Sequence, residues 1–226
     1  MTINTSEFEI GARGWLFRQW SGKFYPEDLP EEWRFSYYSN EFRTVLVPAE
    51  LFYQSTLQDI EGWIDCCDDE FRFYCECLPN TNWEQIKSKI ACLGRHLSGI
   101  VIRSDNESNT PPNLVKQLIV YALEMAPTYI DAEIAGNINI GEIPHLNNEL
   151  GCICEFETMQ SDWVKPFNRG VVLISTANGQ EPKQLRKMLE SCLSNDSLVV
   201  YSLFFAGSVP NIKDMETMQT IYTLWA

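Results

Sequence analysis

The stretch RGWLFRQWSGKFYPEDLPEEWRFSYYSNEF, residues 13–42, contains three Trp, four Phe and three Tyr. It follows EFEIG at 7–11, an apolar run of the kind that forms β-strands. A core would bury some of these rings, but the intervening Gly, Pro and charged residues make the stretch too polar to be only core. The stretch therefore predicts a structured connection that leaves the first strand and carries its own cluster of aromatic side chains.

An apolar run followed by a helical pattern recurs along the rest of the chain. Several runs are continuously apolar, which is typical of parallel strands buried on both faces. Pro30, followed by Glu31 and Glu32, predicts a helix start, and Thr81 with Glu84 forms a capping-box pattern. The segment 158–169 is predicted to be a loop or a short helical turn. The predicted strands are 7–11, 44–49, 71–77, 99–103, 128–134, 152–157, 170–175 and 198–205.

Eight strands alternating with mostly helical segments indicate parallel βαβ units. An open doubly wound sheet and a closed barrel both fit this alternation. Eight strands in 226 residues favour a single-domain (β/α)8 TIM-barrel-like fold spanning 1–226. The sequence GARG at 11–14 lacks the Gly-rich phosphate-binding pattern that would favour a nucleotide-binding open sheet.

The charge balance restricts the classes of partner. Lys plus Arg is 17 and Asp plus Glu is 31, a formal net charge of −14. Such a surface repels phosphate backbones and anionic membranes, so we expect no nucleic-acid and no membrane partner. The N-terminus has no signal-peptide pattern, and no apolar run reaches the roughly 18 residues of a membrane span. We therefore expect a cytoplasmic protein.

The eight cysteines form no C-x-x-C motif. Spacing of two in FYCEC and GCICEF places a pair on one strand face, which leaves a metal site as one alternative. We interpret these cysteines as buried apolar residues and predict no metal and no cofactor. His96 and His145 follow no predicted strand, and there is no G-x-S-x-G motif, so nucleophilic catalysis is not indicated.

The segments IGARGW at 10–15, WSGKFYP at 20–26 and FY at 52–53 resemble the YecE-like family, also called domain of unknown function 72. The resemblance is dense over 10–53 and weaker over the remainder. It implies a (β/α)8 barrel and no established activity. The matching positions are Ile10, Gly11, Gly14, Trp15, Trp20, Gly22, Phe24, Tyr25, Pro26, Leu29, Pro30, Trp33, Tyr37, Tyr38, Phe42, Val45, Phe52 and Tyr53.

The departures from the family pattern concern the carboxyl ends of the strands. The resemblance implies Lys where this chain has Glu76, and Arg and His where it has Ala135 and Gly136. Strands two, seven and eight also lack the polar residues expected from the family, with Leu46 and Ala206 among the replacements. The resemblance therefore implies a diverged barrel that has lost most of the family's polar strand-end residues.

Four aromatic residues are candidates for ligand binding. Trp15, Trp20 and Tyr25 follow strand one, and Tyr53 follows strand two, on the face that carries barrel active sites. They could line a largely apolar pocket. Alternatively, they could plug the barrel top and brace the next helix.

Five charged residues near strand ends are candidates for chemistry. Arg13 and Arg103 could hold the carboxylate or phosphate of a ligand, since a guanidinium matches either group. Glu50, Glu76 and Glu133 could supply a general acid and base. An exposed, solvated position is the ordinary alternative for all five.

Three functions remain open from the sequence. The first is a non-catalytic or diverged barrel that binds a small anionic ligand or a protein partner. The second is a hydrolase or lyase that acts on a small anionic substrate by carboxylate acid–base catalysis. The third is a structural subunit, which an exposed apolar patch would favour.

Overall fold

The computed structural model describes residues 8–104, 110–139, 149–158, 170–193 and 199–225. Eight parallel strands pair in chain order, and β8 pairs with β1 to close a barrel. The predicted (β/α)8 fold is confirmed. The strands are β1 Glu9–Arg13, β2 Thr44–Val47, β3 Arg72–Cys77, β4 Leu97–Ile102, β5 Thr128–Ile130, β6 Leu150–Glu155, β7 Val171–Ser175 and β8 Val200–Phe205.

The described residues include eight α-helices. They pack outside the strands, so that most strands are covered on both faces, as the continuous apolar runs predict. The helices are α1 Arg34–Glu41, α2 Ala49–Gln54, α3 Leu57–Cys66, α4 Trp83–Leu93, α5 Pro112–Leu123, α6 Ala132–Asn137, α7 Pro182–Leu193 and α8 Ile212–Trp225.

Two local predictions differ from the structure. The predicted strand 128–134 ends at Ile130, because the Asp131 side chain caps α6 by accepting a hydrogen bond from the Ile134 amide. The predicted capping box at Thr81 is wrong, since Asn82 is the N-cap of α4. A true capping box is formed by Thr56 and Asp59 at the start of α3.

The apolar core has two layers. The larger layer lies between strands and helices. The smaller layer fills the barrel interior, where Tyr129 passes close to Gly99 and Gly151. A Cβ at either glycine would lie 2.4–2.7 Å from the Tyr129 ring, so both positions need glycine for this ring to fit. The interior residues are Leu46, Tyr74, Val101, Tyr129, Ile153, Val172, Ile174, Phe204 and Ala206.

The aromatic stretch after β1 packs into the outer layer. Tyr38 of α1 is fully buried, and its hydroxyl accepts a hydrogen bond from the Ala12 amide and donates one to the Thr44 carbonyl, each at 2.8 Å. One side chain thereby joins a helix to β1 and β2. The stretch fixes the first two strands, and so the position of Arg13 at the end of β1.

The remaining sequence predictions have varied outcomes. His145 and residues 159–169 lie outside the described residues. His96 is buried beside β3 and contacts the Phe71 carbonyl at 3.0 Å. All eight cysteines are free. None of the described helices has the length and apolar character needed to cross a membrane.

Candidate functional site

Three charged side chains meet at the carboxyl-end mouth of the barrel. Arg13 is the last residue of β1, Glu76 lies near the end of β3, and Arg103 follows β4. The sequence places each at a strand end, and closure of the barrel brings them into contact. This is the face on which barrel active sites are built.

Glu76 is the centre of this cluster. Its Oε1 accepts a hydrogen bond from Arg13 Nε at 2.8 Å, and its Oε2 accepts one from Arg13 Nη2 at 2.6 Å. Arg103 Nη1 also donates to Oε1, at 3.3 Å. Only 3% of the Glu76 side chain is exposed, against 30% of Arg13 and 29% of Arg103. Two partly accessible cations therefore share one buried carboxylate.

The charge of Arg13 is stabilised by its neighbours. Burial alone would lower the pKa of the guanidinium, but the hydrogen bonds and charge of Glu76, together with the charge of Glu50, raise that pKa above its ordinary value. Arg13 is therefore a permanent cation at the mouth.

Glu50 and Tyr53 reach the same region from α2. Glu50 Oε2 lies 3.6 Å from Arg13 Nη2, and its side chain is 69% exposed. The Tyr53 hydroxyl accepts a hydrogen bond from the Leu78 amide at 2.9 Å and contacts Thr81. Tyr53 thus holds the first residue after β3, two positions beyond Glu76, and Glu50 lies at the solvent side of the cluster.

Glu133 is not part of this cluster. It lies exposed in the first turn of α6, and within the described residues no hydrogen bond or ion pair joins it to Arg13, Glu76 or Arg103. The prediction that grouped it with Glu50 and Glu76 rested on a strand through 134, which in fact ends at Ile130.

Asp131 is a site residue that the sequence reasoning missed. Its Oδ2 accepts hydrogen bonds from Ser104 N and Oγ at 2.6 and 2.7 Å, and its Oδ1 accepts one from Ile134 N. Asp131 therefore holds the residue that follows Arg103. The signal was an Asp placed directly before a helix, but the predicted strand concealed it.

A second polar contact closes the opposite side of the mouth. Ser175, at the end of β7, donates from Oγ to Glu157 Oε1 at 2.6 Å, and the Ala177 amide donates to the same oxygen at 3.2 Å. Among the described residues, no group of three or more His, Cys, Asp or Glu side chains is arranged to hold a metal ion.

Residues 9–80 match the family described as protein of unknown function DUF72. The predicted resemblance is confirmed. No curated protein matches the chain. The DUF72 match covers β1, β2 and β3, and so includes Arg13, Glu50 and Glu76 but not Arg103.

Solved structures include DUF72 proteins with the same fold. One from Thermotoga maritima has a TM-score of 0.63 at 13% identity, over 97% of this chain and 100% of that chain. One from Enterococcus faecalis has a TM-score of 0.68 at 9% identity, over 96% and 95%. A phosphoribosyl anthranilate isomerase has a TM-score of 0.50 at 13% identity, over 96% and 98%. At these identities the likeness shows the fold alone.

Three of the four aromatic residues predicted to bind a ligand are buried. Trp15 and Trp20 are each 2% exposed and Tyr25 is 1% exposed. Trp20 Nε1 donates to the Pro210 carbonyl at 2.9 Å, and the Tyr25 hydroxyl donates to the Trp15 carbonyl at 2.7 Å. These rings have little surface left for a ligand, and we leave all three out of the site proposed below.

Proposed function

We propose that the protein is a binding barrel that holds a small anionic ligand at its carboxyl-end mouth. The single observation that supports this is the sharing of buried Glu76 by Arg13 and Arg103, each about one-third exposed. A guanidinium has five N–H donors, and three donors of this pair are used by Glu76. Glu50 lies beside Arg13, so the two arginines and the two glutamates balance in charge, and the attraction for an anion comes from the guanidinium N–H donors that Glu76 does not use.

The chemistry of the donors favours a carboxylate or a phosphate. Planar guanidinium groups bind either in a bidentate manner, and charge-assisted hydrogen bonds of this kind are about twice as strong as neutral ones. Exposed Glu50 lies on the solvent side of Arg13 and would repel a ligand with a large negative charge. The arrangement therefore favours a small ligand with one anionic group.

Acid–base catalysis is the second candidate, and one distance favours it. Glu76 Oε2 and Glu50 Oε2 lie 2.6 and 3.6 Å from the same atom, Arg13 Nη2, so the two oxygens are at most about 6 Å apart. A hydrolase or lyase could use such a pair. Against this, both oxygens of Glu76 already accept hydrogen bonds from arginines, which leaves exposed Glu50 as the freer carboxylate.

A thermal-shift titration with phosphate, sulfate and acetate, each of which carries one anionic group, tests the binding proposal. A ligand at about 100 times its Kd stabilises the folded state by about 2.7 kcal/mol, which corresponds to several degrees in a protein of this size. Arg103→Gln should abolish the shift, because it removes an anchor while the two hydrogen bonds of Arg13 to Glu76 remain.

Arg95→Gln is the matched control. Arg95 precedes the same strand, β4, at the other end of the barrel, and pairs on the surface with Asp69. Arg95→Gln should show the same thermal shift with the anions as the unaltered protein. Absence of a shift with all three anions, or an equal shift in Arg103→Gln, would overturn the proposal. If Glu50→Gln changed turnover of a substrate without changing its binding, the second candidate would replace the first.

A further inference from the structure

The amino-end side of the barrel contains a second cavity. Its volume is about 1360 Å³, and it opens at the end of the barrel opposite the Arg13 cluster. The cavity combines tyrosine rings with carboxylates from the first strand and the surrounding helices. Residues that line it include Glu9, Arg72, Tyr74, Tyr129, Tyr201 and Glu216.

Tyrosine rings form much of the inner wall. The rings of Tyr74 and Tyr129 lie 6.0 Å apart between centroids, and Tyr201 approaches Gly170 closely. Tyr74 and Tyr129 belong to the interior cluster of the barrel, and Tyr201 packs against that cluster. Aromatic faces attract cations, and more strongly where water is partly excluded.

Glu9 lines the cavity, and among the described residues no Lys, Arg or His side chain donates a hydrogen bond to its carboxylate. Ser202 Oγ lies 3.4 Å from its Oε2, and the Thr44 hydroxyl, which donates to the Arg72 carbonyl at 3.0 Å, lies beside it. Arg72 acts on it only through charge, since Arg72 Nη1 donates to the Asp69 and Phe71 carbonyls. Burial raises the pKa of Glu9 to about 7, despite the opposing effects of Arg72 and the two hydroxyls.

The rim of the cavity is also negatively charged. Burial, and then the charge of Glu41, raise the pKa of Glu216 above its ordinary value. Arg43, the cation on this rim, forms ion pairs with Asp68 and Glu70. Glu9, Glu41 and Glu216 together therefore outweigh the positive charge that Arg72 supplies.

We propose that this cavity binds a small organic cation, a protonated alkylamine, with its ammonium group on Glu9 and its methylene groups against the rings of Tyr129 and Tyr201. A charged ligand would supply Glu9 with the hydrogen-bonded cation that no residue in the described part of the chain provides. The flat aromatic walls suit an apolar chain, and the acidic rim would attract a ligand carrying a second amine. This site lies apart from the anion site and does not depend on it.

Isothermal titration with putrescine and with 1,4-butanediol at about pH 8 tests the proposal. The two compounds have the same carbon chain, and only putrescine is charged. We expect saturable binding of putrescine and none of butanediol. Glu9→Gln should weaken putrescine binding by about tenfold or more, because a hydrogen bond to a charged group is lost.

Two control variants separate this site from non-specific attraction to an acidic protein. Glu61→Gln removes an exposed carboxylate on α3 and should leave putrescine binding unchanged. Arg103→Gln alters the opposite mouth and should also leave it unchanged, so that failure of one proposed site does not imply failure of the other. Near pH 6.5, titration in two buffers of different ionisation enthalpy should show proton release as Glu9 ionises.

Three results would overturn the proposal. One is the absence of saturable putrescine binding, and another is equal binding of butanediol. The third is equal weakening by Glu9→Gln and Glu61→Gln, which would mean that net charge alone attracts the amine. Glu9→Gln removes a carboxyl that burial disfavours in its charged form, so this variant is expected to fold.

Discussion

Arg13 at the end of β1 and Glu76 near the end of β3 are joined by two hydrogen bonds, of 2.8 and 2.6 Å, that cross the intervening strand β2. Sixty-three residues separate them in the chain. The pair therefore forms only when the first three strands are correctly ordered and curved. Both residues lie within the segment 9–80 that matches DUF72.

The first prediction concerns Glu76→Gln. Removing the buried carboxylate leaves two neighbouring arginines without their shared anion. Breaking a buried pair costs roughly 3–5 kcal/mol, and the partial exposure of both arginines reduces the expected loss to about 2–3 kcal/mol. Urea unfolding measures the loss, and added phosphate should recover more stability in this variant than in the unaltered protein.

Glu190→Gln provides the control for this prediction. Glu190 pairs with Arg186 on the exposed face of α7, where such a pair contributes only about 0.3–0.5 kcal/mol. A similar loss in both variants would show that the mouth cluster has no special energetic role.

The second prediction concerns Tyr38→Phe. The ring packing is kept, but the Ala12 amide and the Thr44 carbonyl both lose their hydrogen-bond partner in a buried position. An unsatisfied buried group costs about 1–3 kcal/mol, so a loss of about 2–4 kcal/mol is expected in chemical denaturation. Tyr37→Phe, from the same helix, should cost much less, since its hydroxyl joins neither strand. Equal effects of the two substitutions would contradict the proposed role of Tyr38 as a link between β1 and β2.

The third prediction compares two glycines. A Cβ on Gly11 of β1 would lie 2.3 Å from the Thr44 carbonyl oxygen, which is backbone and cannot rotate away. Gly11→Ala should therefore destabilise the protein by about 3 kcal/mol or prevent folding. Gly62 is exposed within α3, with nothing within 4 Å of an added Cβ, so Gly62→Ala should stabilise by up to about 1 kcal/mol. Melting temperatures of the two variants provide the comparison, and a stable Gly11→Ala protein would refute the register of β1 against β2.

The fourth prediction concerns the pH dependence that Glu9 confers. Its pKa is about 7 in the folded protein, against an ordinary value of 4.5, so the folded state holds a proton that the unfolded state has released between these values. The stability that this provides is complete below about pH 4.5 and is lost as the pH rises through about 7. One pKa unit corresponds to about 1.4 kcal/mol, which sets an upper limit of about 3.5 kcal/mol on the effect.

Urea unfolding of the unaltered protein and of Glu9→Gln, from about pH 4 to pH 8, isolates this contribution. As the pH rises, the unaltered protein should lose stability relative to Glu9→Gln. The difference between their unfolding free energies should become constant above about pH 8. A difference that is constant with pH would mean that Glu9 ionises normally in the folded state.

Local patterns were sufficient for most of the architecture. Continuous apolar runs predicted every strand to within a few residues, except at 128–134, where Asp131 starts a helix. A run of apolar residues does not show where a short strand ends when a helix follows directly. The predicted capping box at Thr81 was also wrong, because α4 begins one residue later and the Asn82 side chain caps it.

The aromatic stretch after β1 illustrates a different limit. Its composition predicted a cluster, but not whether the rings would face a ligand or the core. In the structure, Trp20 reaches the Pro210 carbonyl, 190 residues away, and Tyr25 turns back onto the Trp15 carbonyl. Those partners depend on the closure of the barrel and on the course of the loop, which no local spacing encodes.

The sequence by itself determined the parallel βαβ units, the acidic character of the protein and the presence of charged residues at the strand ends, because hydrophobic periodicity and composition act locally, and it favoured closure into a barrel, which the structure confirms. Only the tertiary structure decided which of those charges meet. Closure placed Arg13, Glu76 and Arg103 together, left Glu133 exposed on α6 and gathered Glu9 with four tyrosines at the opposite end. The physical reason is that contacts between side chains of different strands depend on register and curvature, and these are properties of the whole closed sheet.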